Sequence, residues 1–444
     1  MPGPQVSVGC GSAYAEDRIE PAVALAETGL VDYMAFDCLA ERTLALAQIR
    51  RLADSKQGQD RRIPAFMDGL APFIKRGGKV TANWGAANID AALDDVLAGL
   101  KRAGISGTRI GVIRGDDVRD MVVARDLELG EIGETARSMG DRLISANAYI
   151  GGDSIVDMLG EGAQIVFGGR IADPSLFVAP ICYEMDWDIR RDWDRVGYAT
   201  MVGHLLECGI HGAGGNFEDP PYRTVPNPHD LANPYGVVSE ESSEISKTPG
   251  SGGAMNAMIT KTQLAYEIHD PAHYLTPDVT ADFTQVTVEE IGENRVRVRG
   301  ATGSARPATL KVLCGVDLGW KAVGEISYGG PGCVERARRG EEILRKRIEK
   351  FAADITELRV DFHGVSALFG DRMPGGYPAD VRMRMAARCT SREVAEKLVH
   401  EVEWMYFGPA GGGGVSFSVV PAIGVTPAFL PREDLRITAE VVTA

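Results

Sequence analysis

The sequence predicts an α/β protein: a mostly parallel sheet flanked by helices, followed by a smaller α+β domain. Three observations carry this. Short β-like runs alternate with amphipathic helical runs through the first half. Helical spacing of apolar residues and strand-like runs take turns, as parallel sheets with crossover helices require. From residue 283 onward the texture shifts to hairpin-like pairs, which places a boundary near residue 280. The expected domains are therefore 1–280, carrying glycine-rich ligand loops, and 281–444.

Residues 6–9 open as a strand, and residues 21–28 follow as a helix with Pro21 in its first turn. Residues 32–36 form the next strand and 41–53 the next helix, with Leu44, Ala47 and Leu52 partly on one face. Strand 79–82 precedes helix 89–103, where Leu93, Val96 and Leu100 keep helical spacing. Strand 109–113, strand 144–149, helix 154–159 and strand 164–167 continue the series. Helices at 174–185 and 193–208 lead into a loop at 211–246 dense in Pro, Gly, Asn and Asp, of a length that is usually functional. A helix covers 256–268. In the second domain, 285–290 with 295–299 and 309–316 with 321–326 read as antiparallel pairs. Helix 335–353, strand 358–362 and helix 392–407 complete it, before a Gly-rich loop and the tail.

The chain has 444 residues, 44% hydrophobic and 25% charged, so two globular domains are expected. A net charge of −15 argues against a nucleic-acid surface but leaves room for a local cation cluster facing an anionic substrate. No apolar run approaches membrane-spanning length, and residues 1–8 lack the pattern of a secretory leader. Seven scattered cysteines, never spaced C-x-x-C, read as reduced thiols of a cytoplasmic protein.

In open sheets ligands bind beyond the carboxyl ends of the strands, so the loops there hold the candidates. Gly9, Gly11 and Ser12 offer bare backbone after the first strand, although Tyr14 replaces the third glycine of a dinucleotide fingerprint. Asp37 and Glu41 follow the second strand and serve either as acid and base or as helix-end residues. Asn83 and Gly85 sit before Asn88, a helix cap. Asp116 and Asp117 are either a divalent-cation pair or a helix start.

Asn147, Gly151 and Gly152, with Arg170 and Asp173, make the densest group: a fork-shaped cation, free N–H groups and a carboxylate. His211 beside Gly214 is a general-base candidate or a packing residue. Lys247, Ser251 and Gly252 resemble an anion cradle without the lysine placement of a nucleotide loop. The histidines carry no zinc spacing, and no G-x-S-x-G elbow, nicotinamide or flavin signature appears.

Several of these segments together resemble the acyclic terpene utilisation (AtuA) family. They are Gly9-Cys10-Gly11 with Asp17-Arg18-Ile19-Glu20-Pro21-Ala22, Asp32-Tyr33, and Asp37-Cys38-Leu39-Ala40-Glu41-Arg42-Thr43-Leu44-Ala45. Asn83-Trp84-Gly85-Ala86-Ala87-Asn88, Gly168-Gly169-Arg170-Ile171-Ala172-Asp173-Pro174 and Thr248-Pro249-Gly250-Ser251-Gly252-Gly253 extend the likeness over nearly the whole chain. The resemblance implies a catabolic setting in which branched carboxylates and their CoA thioesters circulate. The expected activity is a lyase or hydratase on a branched hydroxy acid or its CoA thioester.

The alternatives are a non-catalytic binding or assembly subunit and a divalent-metal enzyme. Longer members of the family carry an additional small C-terminal ferredoxin-like domain, which this chain is expected to lack, so the role of that domain is either absent or supplied by a small partner chain; homo-oligomerisation is expected.

Overall fold

The computed structural model describes residues 4–370 and 376–444; residues 1–3 of the 1–8 segment lie outside them. The chain divides into two units, residues 1–315 with 425–444, and residues 316–424. It passes from the first to the second within strand Thr309–Gly329 and returns within strand Gly413–Pro431.

The first unit is built on a ten-stranded mixed sheet. Its strands are β1 (Val6–Ser12), β2 (Tyr33–Phe36), β3 (Lys79–Ala82), β4 (Arg109–Arg114), β5 (Ile165–Phe167), β6 (Pro234–Val238), β7 (Ser243–Lys247), β8 (Thr287–Gly292), β9 (Arg295–Arg299) and β10 (Thr438–Thr443). They lie in the order β8-β9-β7-β6-β1-β2-β3-β5-β4-β10. The block β1-β2-β3-β5-β4 is parallel. Every strand outside it pairs antiparallel.

The expected dominance of parallel pairing is therefore corrected to a parallel centre with antiparallel wings. The physical reason is connection length: the short β6–β7 and β8–β9 links leave no room for a crossover, so those strands fold back as hairpins. The β8–β9 hairpin, whose texture groups it with the second module, joins the large sheet through β9 and β7. The expected turn between 316 and 321 is a kink inside one strand, where Gly319 takes a φ of +87°.

Alternation along the parallel strands sets the two faces. Met34, Phe36, Val80, Ala82 and Phe167 point to a core shared with α1 (Glu20–Glu27), α3 (Ile63–Lys75) and α4 (Ile89–Arg102). Trp84 belongs to this core, its ring 5.3 Å from Phe36 and 6.0 Å from Phe66. Thr81 faces the other way, its hydroxyl donating to the Leu176 carbonyl at 2.7 Å on α5 (Ser175–Glu184). Almost every residue of α5 is buried, which is why its sequence is apolar on all sides. Helix α2 (Glu41–Ala53) follows β2, and α6 (Trp193–Glu207) follows α5.

Helix α6 approaches strand Thr302–Ser304 through two glycines. A Cβ on Gly197 would lie 2.2 Å from the Thr302 carbonyl oxygen, and one on Gly303 would lie 2.4 Å from that of Trp193. Backbone cannot yield as a flexible side chain does. Gly197→Ala is expected to cost about 1–3 kcal/mol, the range of overpacking. Urea unfolding checks this, and a loss under about 0.5 kcal/mol, the scale of a neutral surface change, would contradict it.

The second unit runs strand, helix, strand, strand, helix, strand, the split βαβ arrangement. Its sheet order is Ile355–His363, Asp380–Cys389, Thr309–Gly329, Gly413–Pro431. Along Asp380–Cys389, alternate residues Val381, Met383, Met385, Ala387 and Cys389 bury against helices Cys333–Ile348 and Arg392–Trp404. The residues between them carry ion pairs, Arg382 with Glu325 and Arg388 with Glu357. A ferredoxin-like module of this topology thus lies within the chain itself. No helix among the described residues is long and apolar enough to cross a membrane.

Candidate active site

Helix α4 and the α5–α6 pair lie on opposite faces of the sheet, and the loops after β3 and β5, joined by the Gly85 N–H donating to the Gly168 carbonyl, sit side by side at the carboxyl ends of the strands. The candidate site is built from residues that end β2, β3 and β5. Asp37 is buried and follows β2; its Oδ1 accepts from Asn83 Nδ2 at 2.6 Å and from the Leu39 N–H at 3.1 Å. Asn83, after β3, accepts the Cys38 N–H at 2.7 Å, so one amide fixes both the Asp37 side chain and its loop. Asp37 does not cap α2. That position is Ala40, whose N–H donates to Thr43 Oγ1 at 2.9 Å.

Arg170 follows β5 and is 1% exposed. It donates to the Leu39 carbonyl at 3.0 Å and to Asp173, and its guanidinium stacks 4.1 Å over the Tyr149 ring. Its Nε is buried with no partner. Burial opposes its charge, yet Asp173, Tyr149, Asp37 and Glu41 together hold it firmly protonated. Asp173 spends its carboxylate on Arg170 rather than on capping α5, while its side chain stays 34% exposed.

Burial is the main cause that pushes the Asp173 carboxyl up to about 6. Arg170 pulls against it and the charge of Glu207 adds to it. Asp37 is pushed well above the carboxylate range by burial and by Asp173, with Arg170 and Asn83 opposing.

Tyr149 bridges this buried cluster to Glu41 and Lys311. Its hydroxyl donates to Glu41 at 3.4 Å, and Lys311 Nζ lies 5.0 Å from its ring and 3.9 Å from Glu41 Oε1. Burial raises the Tyr149 phenol, so it remains a proton donor. A cleft of about 260 Å³ opens here, lined by Tyr149, Asp173, Tyr274, Leu310, Lys311 and Phe429. Behind Tyr274 lies His204, ring centroids 5.3 Å apart, with Nδ1 2.9 Å from Glu207 Oε1. His204 Nε2 and Glu207 Oε2 are both buried without a protein partner.

Five expected site residues thus meet: Asp37, Glu41, Asn83, Arg170 and Asp173. The others have local work. A Cβ on Gly9 would meet Leu25 at 2.6 Å and one on Gly11 would meet Phe36 at 2.4 Å, so both serve packing. Ser12 Oγ donates to the Tyr14 carbonyl at 3.1 Å and accepts from Arg62. The Gly85 N–H donates to the Gly168 carbonyl at 2.9 Å.

Asn147 donates to Asp116, which also accepts the Arg170 N–H at 2.8 Å; Asp116 is buried whereas Asp117 is exposed, so the two carboxylates do not converge. The anion position at Gly151–Gly152 is taken by the chain's own Asp278, which accepts the Gly152 N–H at 2.8 Å. His211 packs edge-on against Tyr266, and Gly214 adopts a φ of +107°.

Lys247 donates to the Ser251 carbonyl at 2.6 Å. The N–H groups of Ser251, Gly252, Gly253 and Ala254 go to the carbonyls of Thr248, Asp230, Pro226 and Ala213. That loop is a clasp, with these donors spent internally.

Lys311, Tyr274, His204 and Glu207 went unsignalled in the sequence. All four lie outside the strand-end loops, and only the i, i+3 spacing of His204 and Glu207 on one helix hints at their pairing.

Fold and site together define an α/β protein with an acid–base cluster at the carboxyl ends of its parallel strands. A family model described as acyclic terpene utilisation family protein AtuA matches residues 6–441, and the chain belongs to that family. No curated protein and no solved structure matches it. Membership connects the chain with acyclic terpene utilisation.

Proposed function

We propose that the chain is a lyase or hydratase acting on a branched hydroxy acid or its CoA thioester. The observation that carries this reading is the Asp173 carboxylate, held by a buried arginine, open to the cleft and raised towards neutral pH. A base with that affinity suits removal of a proton next to a carbonyl. Lys311 supplies the cleft's ammonium, placed to bind the acid or polarise the thioester carbonyl.

In the eliminating direction Asp173 takes the proton from the carbon beside the carbonyl, and the bond to the hydroxyl breaks. Tyr149 turns its phenol proton from Glu41 to the leaving oxygen, which departs as water, and the proton held by Asp173 then returns through solvent to the Tyr149 oxygen, restoring both groups. Arg170 does not touch the substrate in this scheme. It is a positioning residue that fixes and partly neutralises Asp173.

The test uses 3-hydroxy-3-methylbutanoate, free and as its CoA thioester, with the ultraviolet absorbance of the conjugated product as readout. The wild-type chain is expected to form or consume the unsaturated product. Lys311→Met is expected to raise KM by about tenfold, the worth of one charge-assisted contact. Absence of turnover across a series of branched hydroxy acids and thioesters would sink the reading.

A further inference from the structure

A second concavity lies on the other side of the Asp37–Leu39 loop, between that loop, α2 and the segment before α3. It holds about 240 Å³, and its walls include Cys38, Leu39, Thr43, Arg50, Arg61 and Arg62. Three arginines around one small hollow are unexpected in a chain of net charge −15. Arg62 is accounted for: it clamps Asp60 with Nη2 2.6 Å from Oδ2 and Nε 3.1 Å from Oδ1. Asp17, also in the wall, accepts the Ala13 N–H at 2.9 Å and the Arg18 N–H at 2.8 Å.

Arg50 and Arg61 are different. Neither forms an ion pair among the described residues, and Arg50 Nε is buried with no hydrogen-bond partner. The one remaining carboxylate of the wall is Glu16, exposed at its rim. Two guanidinium groups without an ion pair therefore line one concave surface, with Glu16 as its exposed carboxylate. Burial lowers the Arg50 guanidinium and the charge of Arg61 adds to it, with Asp60 and Glu16 opposing. Like charges held together around a hollow are relieved by an anion between them, and the guanidinium fork matches phosphate oxygens.

We propose that this pocket binds a phosphate-class oxyanion between Arg50 and Arg61, either inorganic phosphate or the phosphate end of a phosphorylated small molecule. The volume admits a phosphate or pyrophosphate group but is smaller than most pockets for whole drug-sized ligands, so any larger ligand extends past the rim. This site stands apart from the acid–base reading and survives its failure.

The experiment is calorimetric titration of the full chain with inorganic phosphate, pyrophosphate and CoA, each against chloride at matched ionic strength. Pyrophosphate is expected to bind saturably. Arg50→Ala with Arg61→Ala is expected to weaken it by about tenfold or more, the loss of at least one charge-assisted hydrogen bond. Arg50→Lys with Arg61→Lys keeps the charges and loses the forks, so it is expected to fall between the two. Thermal unfolding without ligand confirms that each variant is folded.

CoA binding that disappears in the alanine variant supports the site and assigns its phosphate to a nucleotide. Binding confined to the inorganic anions supports it with free phosphate as the occupant. No binding above the chloride control, or binding undiminished in the folded alanine variant, overturns the proposal.

Discussion

Arg170→Met is expected to destabilise the protein by about 3 kcal/mol at pH 7. Removing one partner of a buried pair typically costs about 3–5 kcal/mol, because the other charge is left uncompensated. The lower end applies here, since Asp173 is 34% exposed and water screens part of the loss. Arg170 also holds the Leu39 carbonyl and keeps Asp37 and Asp173 from facing each other unshielded.

The sign with pH follows from those carboxylates. Without the guanidinium both rise further, so the variant binds protons more readily when folded than when unfolded. Its deficit should shrink as the pH falls and the carboxyls protonate. Urea unfolding at pH 7 and pH 5 measures both quantities. A deficit that is small, or that grows on acidification, would show that Arg170 does not act as the countercharge.

The second large effect concerns chemistry. Asp173→Asn is expected to lower turnover of the hydroxy-acid substrate by about 10²–10⁴-fold, the usual contribution of a positioned proton carrier. In the wild type the rate should rise with pH through about 6, as Asp173 ionises, and that limb should vanish in the variant. The same group leaves a mark on stability. Its raised affinity favours the folded state at low pH, and that advantage is lost as pH rises through about 6, so Asp173→Asn should flatten stability across this window. A variant with nearly full turnover would remove Asp173 from the proposed mechanism.

The parallel centre of the fold is legible in the sequence because its strands are short apolar runs between helices of clear period. Helix α2 appears at its observed bounds, with Leu44 and Ala47 buried as their spacing requires, although Leu52 is exposed. In the antiparallel wing the β8–β9 hairpin is legible as a pair, whereas β6 and β7 are hidden for physical reasons. Strand β6 is short and broken by Pro234 and Gly236 despite its Tyr235, Val237 and Val238, and β7 buries Ser243 and Lys247 beside a lone Ile245. Helix α3 is masked by Pro64, Gly69 and Pro72, two of which are tolerated only because tertiary packing overrides propensity.

Strand Asp380–Cys389 is absent from the expected elements although its Val, Met, Met, Ala and Cys alternate with period two. The candidate site divides in the same way. Asp37, Asn83, Arg170 and Asp173 are visible because a strand end announces each of them. Lys311 lies within a long strand and His204 within a helix buried from Val196 to its end, where neighbouring residues say nothing about a cleft.

The most direct test of the account is a titration of Asp173 itself, which needs no substrate. Infrared spectra of ¹³C-aspartate-labelled protein, differenced against Asp173→Asn, isolate its carboxylate band. The account predicts half-ionisation near pH 6 and a shift to lower pH in Glu207→Gln, where the charge that adds to burial in raising Asp173 is gone. A carboxylate that titrates in the ordinary range near pH ~4 and ignores Glu207 would contradict it.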